Sequence, residues 1–145
     1  MKFTTLILAL LLSMTSLSVF ADKESKPFAE KRVVLQISDP NPFKQTLVLN
    51  VASNLVKHYG QDKVDVEIVA FGPGLRLLMD GNSNSSRIKG LNGAGVQFSA
   101  CKNTIKAFSK KLGHIPKLVP QAKPVSAGVV RIIDLTDQGY TLVKP

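Results

Sequence analysis

Cys101 is the only cysteine among the 145 residues, and its sequence context suits a reactive thiol. It closes the segment Val96-Gln97-Phe98-Ser99-Ala100 and is followed by Lys102-Asn103-Thr104, which reads as a strand running directly into a helix start. A side chain at such a junction lies at the C-terminal edge of an α/β sheet, beside backbone N–H groups that have no partner within the helix. Those groups and the helix dipole stabilise an anion, here the thiolate, which is the form of cysteine that does chemistry. Lys102 adds a positive charge next to it. A lone thiolate can carry a persulfide or form a mixed disulfide with a partner. The plainer reading is a small, inert core residue, since free cysteine often serves as filler.

Other chemistries find little support. His58 and His114 are the only histidines. Neither stands at a metal-ligand spacing from Cys101, so no metal site is expected. Neither is tied to it as the oriented base that a Cys-His hydrolase needs. Gly72-Pro73-Gly74 lacks the spacings of a dinucleotide or phosphate loop and reads as a tight turn. No organic cofactor is expected.

The elements that must position the thiol follow from pattern and punctuation. Arg32 to Ser38 is a continuous apolar strand, as in a parallel sheet covered on both faces. Asn41 is a candidate N-cap with Pro42 at the first helical position. The helix runs to Tyr59 and stops at Gly60. Phe43, Leu47, Val51 and Leu55 share one side of it, and Val48, Ala52 and Val56 widen the stripe. Asn50 and Asn54 also share a face and need partners, either a neighbouring segment or a second subunit. Val64 to Phe71 is the second strand; its Val-Asp-Val-Glu alternation places it nearer a sheet edge. After Gly72-Pro73-Gly74 come a short helix over Leu75–Met79, a lid-like loop from Asp80 to Ser86 and a helical turn over Ile88–Leu91.

Gly95 to Ala100 is the third strand. The helix after Cys101 turns Ile105, Phe108 and Leu112 inward and Lys106 and Lys110 outward, and Gly113 stops it. The proline-rich stretch His114–Val125 holds a short fourth strand. Ser126 is the candidate cap of a last helix through Val129, Ile132 and Ile133, and Tyr140–Lys144 is a closing strand. Alternating strands and helices give a parallel sheet with right-handed crossovers. With the common 2-1-3 order, the switch-point crevice lies between the first and third strands. Asp39 to Asn41 would border it on one side and Cys101 to Asn103, with Lys102 between them, on the other; Thr104, Gly72 and Gly74 are further binding candidates.

Residues 1–21 have the features of a secretory signal. Lys2 supplies the positive start, Leu6 to Leu12 the apolar stretch, and Val19-Phe20-Ala21 the small-x-small end. Cleavage there removes 21 residues, including Lys2. It leaves 124 residues, enough for one domain with a modest core, and lowers the net charge from +9 to +8. No later segment is long and apolar enough to span a bilayer. Residues 22–31 form a charged, flexible lead-in and residues 32–145 the domain. Export implies the periplasm, where an unpaired cysteine is buried, paired between chains, or functional. Much of the positive charge sits on Lys102, Lys106, Lys110, Lys111, Lys117 and Lys123. The chain has no Trp and no aromatic-basic interleaving, which argues against nucleic acid and leaves solvated lysines.

Five segments together resemble the DsrE/DsrF-like family, in its exported branch. They are Val-Val-Leu-Gln-Ile-Ser, Leu-Asn-x-x-x-Asn-Leu, Val-Glu-Ile-Val-Ala-Phe-Gly-Pro-Gly-Leu, Gly-Val-Gln-Phe-Ser-Ala-Cys-Lys-Asn-Thr and Ala-Gly-Val-Val-Arg-Ile-Ile-Asp-Leu-x-x-x-Gly-Tyr. The resemblance covers Arg32 to Pro145. It implies a three-layer α/β/α domain with a mostly parallel four- to five-stranded sheet, assembled as a trimer or hexamer. It also implies that Cys101 accepts sulfur from a donor protein and passes it to an acceptor. The alternative is a non-catalytic oligomeric module binding a small anion or a protein partner at the crevice.

Overall fold

The computed structural model describes residues 26–145; the expected signal over residues 1–21 and residues 22–25 of the lead-in lie outside them. Five strands form one all-parallel sheet: β1 (Lys31–Ile37), β2 (Val64–Ala70), β3 (Gln97–Cys101), β4 (Ala122–Val125) and β5 (Thr141–Val143). Their spatial order is β4-β3-β2-β1-β5. The helices are α1 (Pro42–Tyr59), α2 (Ser85–Gly93), α3 (Lys102–Leu112) and α4 (Gly128–Asp137), and a 3₁₀ helix spans Gly72–Leu78.

This order replaces the expected 2-1-3 arrangement. From β1 to β4 the chain steps one strand at a time in the same direction, so crossovers of one hand put their helices on one face. The return from β4 to β5 runs the other way and places α4 on the opposite face. The core divides accordingly. On the first face Val33, Leu35, Ile37, Val66, Ile68, Phe98 and Ala100 pack with Val48, Leu49 and Ala52 of α1, Leu75, Leu77 and Leu78 of the 3₁₀ helix, and Ile88 of α2. On the second, Val34 and Val69 pack with Ile132, Leu135 and Tyr140. The period-2 alternation of side chains divides each strand between these two layers.

Local chemistry sets the helix ends. The Asn41 side chain accepts a hydrogen bond from the Phe43 N–H at 2.9 Å, with Pro42 following it. Gly113 adopts a left-handed φ of +77° and ends α3. The inward stripe of α1 is Gln45, Val48, Leu49 and Ala52, rotated from the expected one, and Phe43 and Leu47 are exposed. The last helix begins at Gly128 with Ala127 at its N-cap and no side-chain cap, so Ser126 does not cap it. The segment after Met79 is a hydrogen-bonded turn and not a lid: the Asn82 amide donates to the Arg76 carbonyl at 3.0 Å, and its oxygen accepts from the Asn84 N–H at 2.8 Å.

β2 is the central strand and is buried throughout, not an edge. Its alternating Asp65 and Glu67 face α4 and meet partners there. Glu67 accepts from Ser99 Oγ at 2.6 Å and from Arg131 Nε and Nη2 at 2.8 Å each. Asp65 Oδ2 accepts from the Tyr140 hydroxyl at 2.7 Å, while its buried Oδ1 has no partner among the described residues. Burial, then the bond to Asp65, pushes the Tyr140 phenol far above its ordinary pKa. Two ties from sheet to C-terminal segment thus lie within an otherwise apolar layer.

Candidate functional site

Cys101 ends β3, and the register pairs it with Val125, the last residue of β4. Each strand passes into a helix almost at once, β3 into α3 and β4 into α4. Because the strands are parallel and in register, the two helix starts lie side by side, one on each face. The thiol is between them. Burial pushes its pKa up, but hydrogen bonding from the Thr104 hydroxyl and from the backbone N–H groups of Thr104, Gly128 and Asn103 outweighs this. The result is a thiol below its ordinary pKa. The sulfur makes no standard capping bond to α3, so these donors act as a surrounding field and not as one short contact.

Thr104 links the site to the neighbouring strand end. Its buried Oγ1 accepts from the Gly72 N–H at 2.8 Å, which leaves the hydroxyl hydrogen for the sulfur. Gly72 holds a left-handed φ of +53°, a conformation glycine adopts without steric cost. Gly128 has no room for a side chain: a Cβ there would lie 2.8 Å from Phe71 Cβ. Close packing of α4 on Phe71 thus brings the Gly128 N–H to the sulfur, and the buried Glu67–Arg131 pair holds α4 down one turn further along.

The thiol is 5% exposed. Beside it a groove of about 550 Å³ runs between the 3₁₀ helix and α3, lined by Gly72, Pro73, Arg76 and residues of α3 including Asn103 and Thr104. Thr104 and Asn103 therefore belong to both features, their backbone on the sulfur and their residues in the groove wall.

The expected site residues separate into two groups. Cys101, Asn103, Thr104 and Gly72 come together. Lys102 is exposed and is not among the groups acting on the sulfur; hydrogen-bond donors do that work. Asp39 and Asn41 follow β1, which lies two strands from β3, about 10 Å away. There they build the turn into α1: the Asn41 N–H donates to Asp39 Oδ1 at 2.9 Å and lowers its pKa, and Lys44 pairs with its other oxygen at 3.3 Å. Gly74 is a packing residue, since a Cβ there would collide with the backbone of Ile37 and Ser38. Asn50 Oδ1 accepts from Arg87 of α2 at 2.6 Å, a partner within the chain. Asn54 is exposed in a shallow depression with Val51, Leu55, His58 and Tyr59.

Sequence reasoning missed Gly128, Phe71 and Arg131. A glycine just ahead of the apolar run Val129-Val130 was the available signal, a small residue where a helix start must approach another backbone closely.

Neither a protein-family model nor a curated protein matches the chain. Solved structures do. A protein of unknown function, MTH1491, from Methanobacterium thermoautotrophicum is 28% identical, with a TM-score of 0.72, over 80% of this chain and all of that one. A conserved protein of unknown function, BT1422, from Bacteroides thetaiotaomicron is 12% identical, with a TM-score of 0.54, over 79% of this chain and 95% of that one. The three-layer α/β/α architecture is therefore shared with known structures.

Proposed function

We propose that this protein is an exported, DsrE-like sulfur carrier or thiol redox sensor that works through Cys101. The observation supporting it is the thiol's place between two helix starts, with four hydrogen-bond donors favouring its anion. A carrier step needs nothing more from this chain. The Cys101 thiolate attacks the outer sulfur of a donor persulfide, the S–S bond of the donor breaks, and the donor leaves as its thiolate. Cys101 then holds the transferred sulfur as a persulfide until an acceptor thiolate takes it by the same exchange. No net oxidation occurs.

Self-assembly as a trimer or hexamer belongs to this proposal. Among the described residues a single helix, α4, covers the second face of the sheet, and Val129, Val130 and Ile133 on its outer side are exposed, as are Leu142 and Val143 on β5. Such a grouping is a natural surface for a second copy. The second reading, a module that binds a small anion without reacting, is favoured by the 5% exposure of the thiol.

Intact mass of the protein from the periplasmic fraction, kept non-reducing, tests the first reading. One added sulfur atom on Cys101, released by reductant and absent in Cys101→Ser, is the expected result. Unmodified thiol after incubation with a persulfide donor contradicts it.

A further inference from the structure

The groove beside the thiol has a composition of its own. Its α3 wall consists of two adjacent i, i+4 rows: Asn103, Ala107 and Lys111, and next to them Thr104, Phe108 and Leu112. Ala107 is the small residue in the middle of the first row, and it leaves the space. Pro73, Ala107, Phe108 and Leu112 make the body of the groove apolar, and Leu112, expected inward, is 44% exposed within it. Arg76 on the 3₁₀ helix and Lys111 on α3 contribute its two charges. Among the described residues no Asp or Glu lines it. The ion pairs Lys44–Asp39, Lys63–Glu30, Lys117–Asp80 and Arg131–Glu67 involve neither Arg76 nor Lys111, so neither has a carboxylate partner among the described residues. About 550 Å³ falls within the range of small-molecule sites, which are concave, mostly apolar and fixed by a few polar groups.

We infer that this groove binds a small amphipathic acid: an aliphatic or aromatic body against Phe108, Ala107 and Leu112, with its carboxylate or sulfonate held by Arg76 and Lys111. The inference gives the anion of the second reading above a place and a chemical class. It does not require sulfur on Cys101. The apolar wall supplies affinity by removing apolar surface from water, and the two cations select the sign of the ligand's charge. A cation of the same shape is rejected, and an inorganic anion, lacking the body, binds poorly.

The test uses the mature chain and 8-anilinonaphthalene-1-sulfonate, an amphipathic sulfonate whose fluorescence reports an apolar site. Saturable binding of one probe per chain is expected, competed by octanoate but not by octylamine or inorganic sulfate, and weakened by added salt. Arg76→Gln and Lys111→Gln should each weaken it about fivefold, the effect of losing one partly exposed charge contact. Ala107→Trp, at an exposed position, should abolish it by filling the groove while circular dichroism and melting stay unchanged. Cys101→Ser should bind the probe as the parent does, so loss of the thiol reading and loss of this one remain distinguishable. Competition by sulfate as strong as by octanoate overturns the inference. So does probe binding that none of the three groove variants alters, since the probe then sits elsewhere, for instance on the outer side of α4. Absence of probe binding with a self-association that Ala107→Trp dissolves also overturns it, because the occupant is then a second copy.

Discussion

Replacing Arg131 by Met tests how the second face of the sheet is held and, through it, how the thiol is positioned. Glu67 is 1% exposed and its carboxylate takes two 2.8 Å bonds from Arg131 and one from Ser99. Without the guanidinium it is a buried charge with one neutral donor. Removing one partner of such a pair costs about 3–5 kcal/mol. That is a large share of the ~5–15 kcal/mol that stabilises a domain.

Urea unfolding of parent and Arg131→Met at pH 7 measures this. Glu67→Leu combined with Arg131→Met should recover most of the loss, because no unpaired charge remains. Alkylation of Cys101 in the folded single variant should slow, since α4 carries the Gly128 N–H that favours the anion. A loss below about 1 kcal/mol would refute the reasoning, as that is the behaviour of a solvated pair.

Three further outcomes follow from particular contacts. Tyr140→Phe removes the hydroxyl bonded to Asp65 and should cost about 1.5–3 kcal/mol at neutral pH; because the folded phenol pKa lies above the unfolded one, the parent's advantage is full below pH ~10 and should fade above it, which thermal melts from pH 7 to 11 follow. Gly74→Ala forces a methyl group into the Ile37 and Ser38 backbone and should destabilise by about 1–3 kcal/mol or more in the same unfolding assay, whereas Gly81→Ala, with open space around it but a φ of +80°, should cost only about 1 kcal/mol. Ile133→Glu charges the exposed side of α4 and should reduce the proposed assembly to monomers by light scattering, with the melting curve of the monomer intact; a mass unchanged from the parent's contradicts an interface on this side of α4.

Much of the fold was legible because its signals are local. The apolar run of β1, the Asn41-Pro42 start and Gly60 stop of α1, and Gly113 after α3 each act within a few residues. So does the strand-to-helix junction at Cys101. What misled was β2. Alternating Val-Asp-Val-Glu is ordinarily a half-solvated strand, and here both carboxylates are buried against Arg131 and Tyr140, 64 and 75 residues away. Nothing in the strand itself names such partners. Strand order was illegible for a similar reason: a crossover of given length reaches either neighbour, and the packing of α4 alone on the second face decides it. Asp39 and Asn41 were placed at the site only through that assumed order. Gly128 was missed because its role is a backbone N–H, which leaves no side-chain signature.

The central claim is that the fold holds Cys101 as an anion-favouring thiol, and the pH profile of its alkylation tests this most directly. Iodoacetamide rates on the native protein, taken from pH 5 to 10, should rise with a midpoint below that of the urea-denatured protein, whose thiol titrates near the free value of about 8.5. Thr104→Val, which removes the hydroxyl beside the sulfur, should move the native midpoint back up. A native midpoint at or above the denatured one, or a thiol that reacts only after unfolding, would contradict the account.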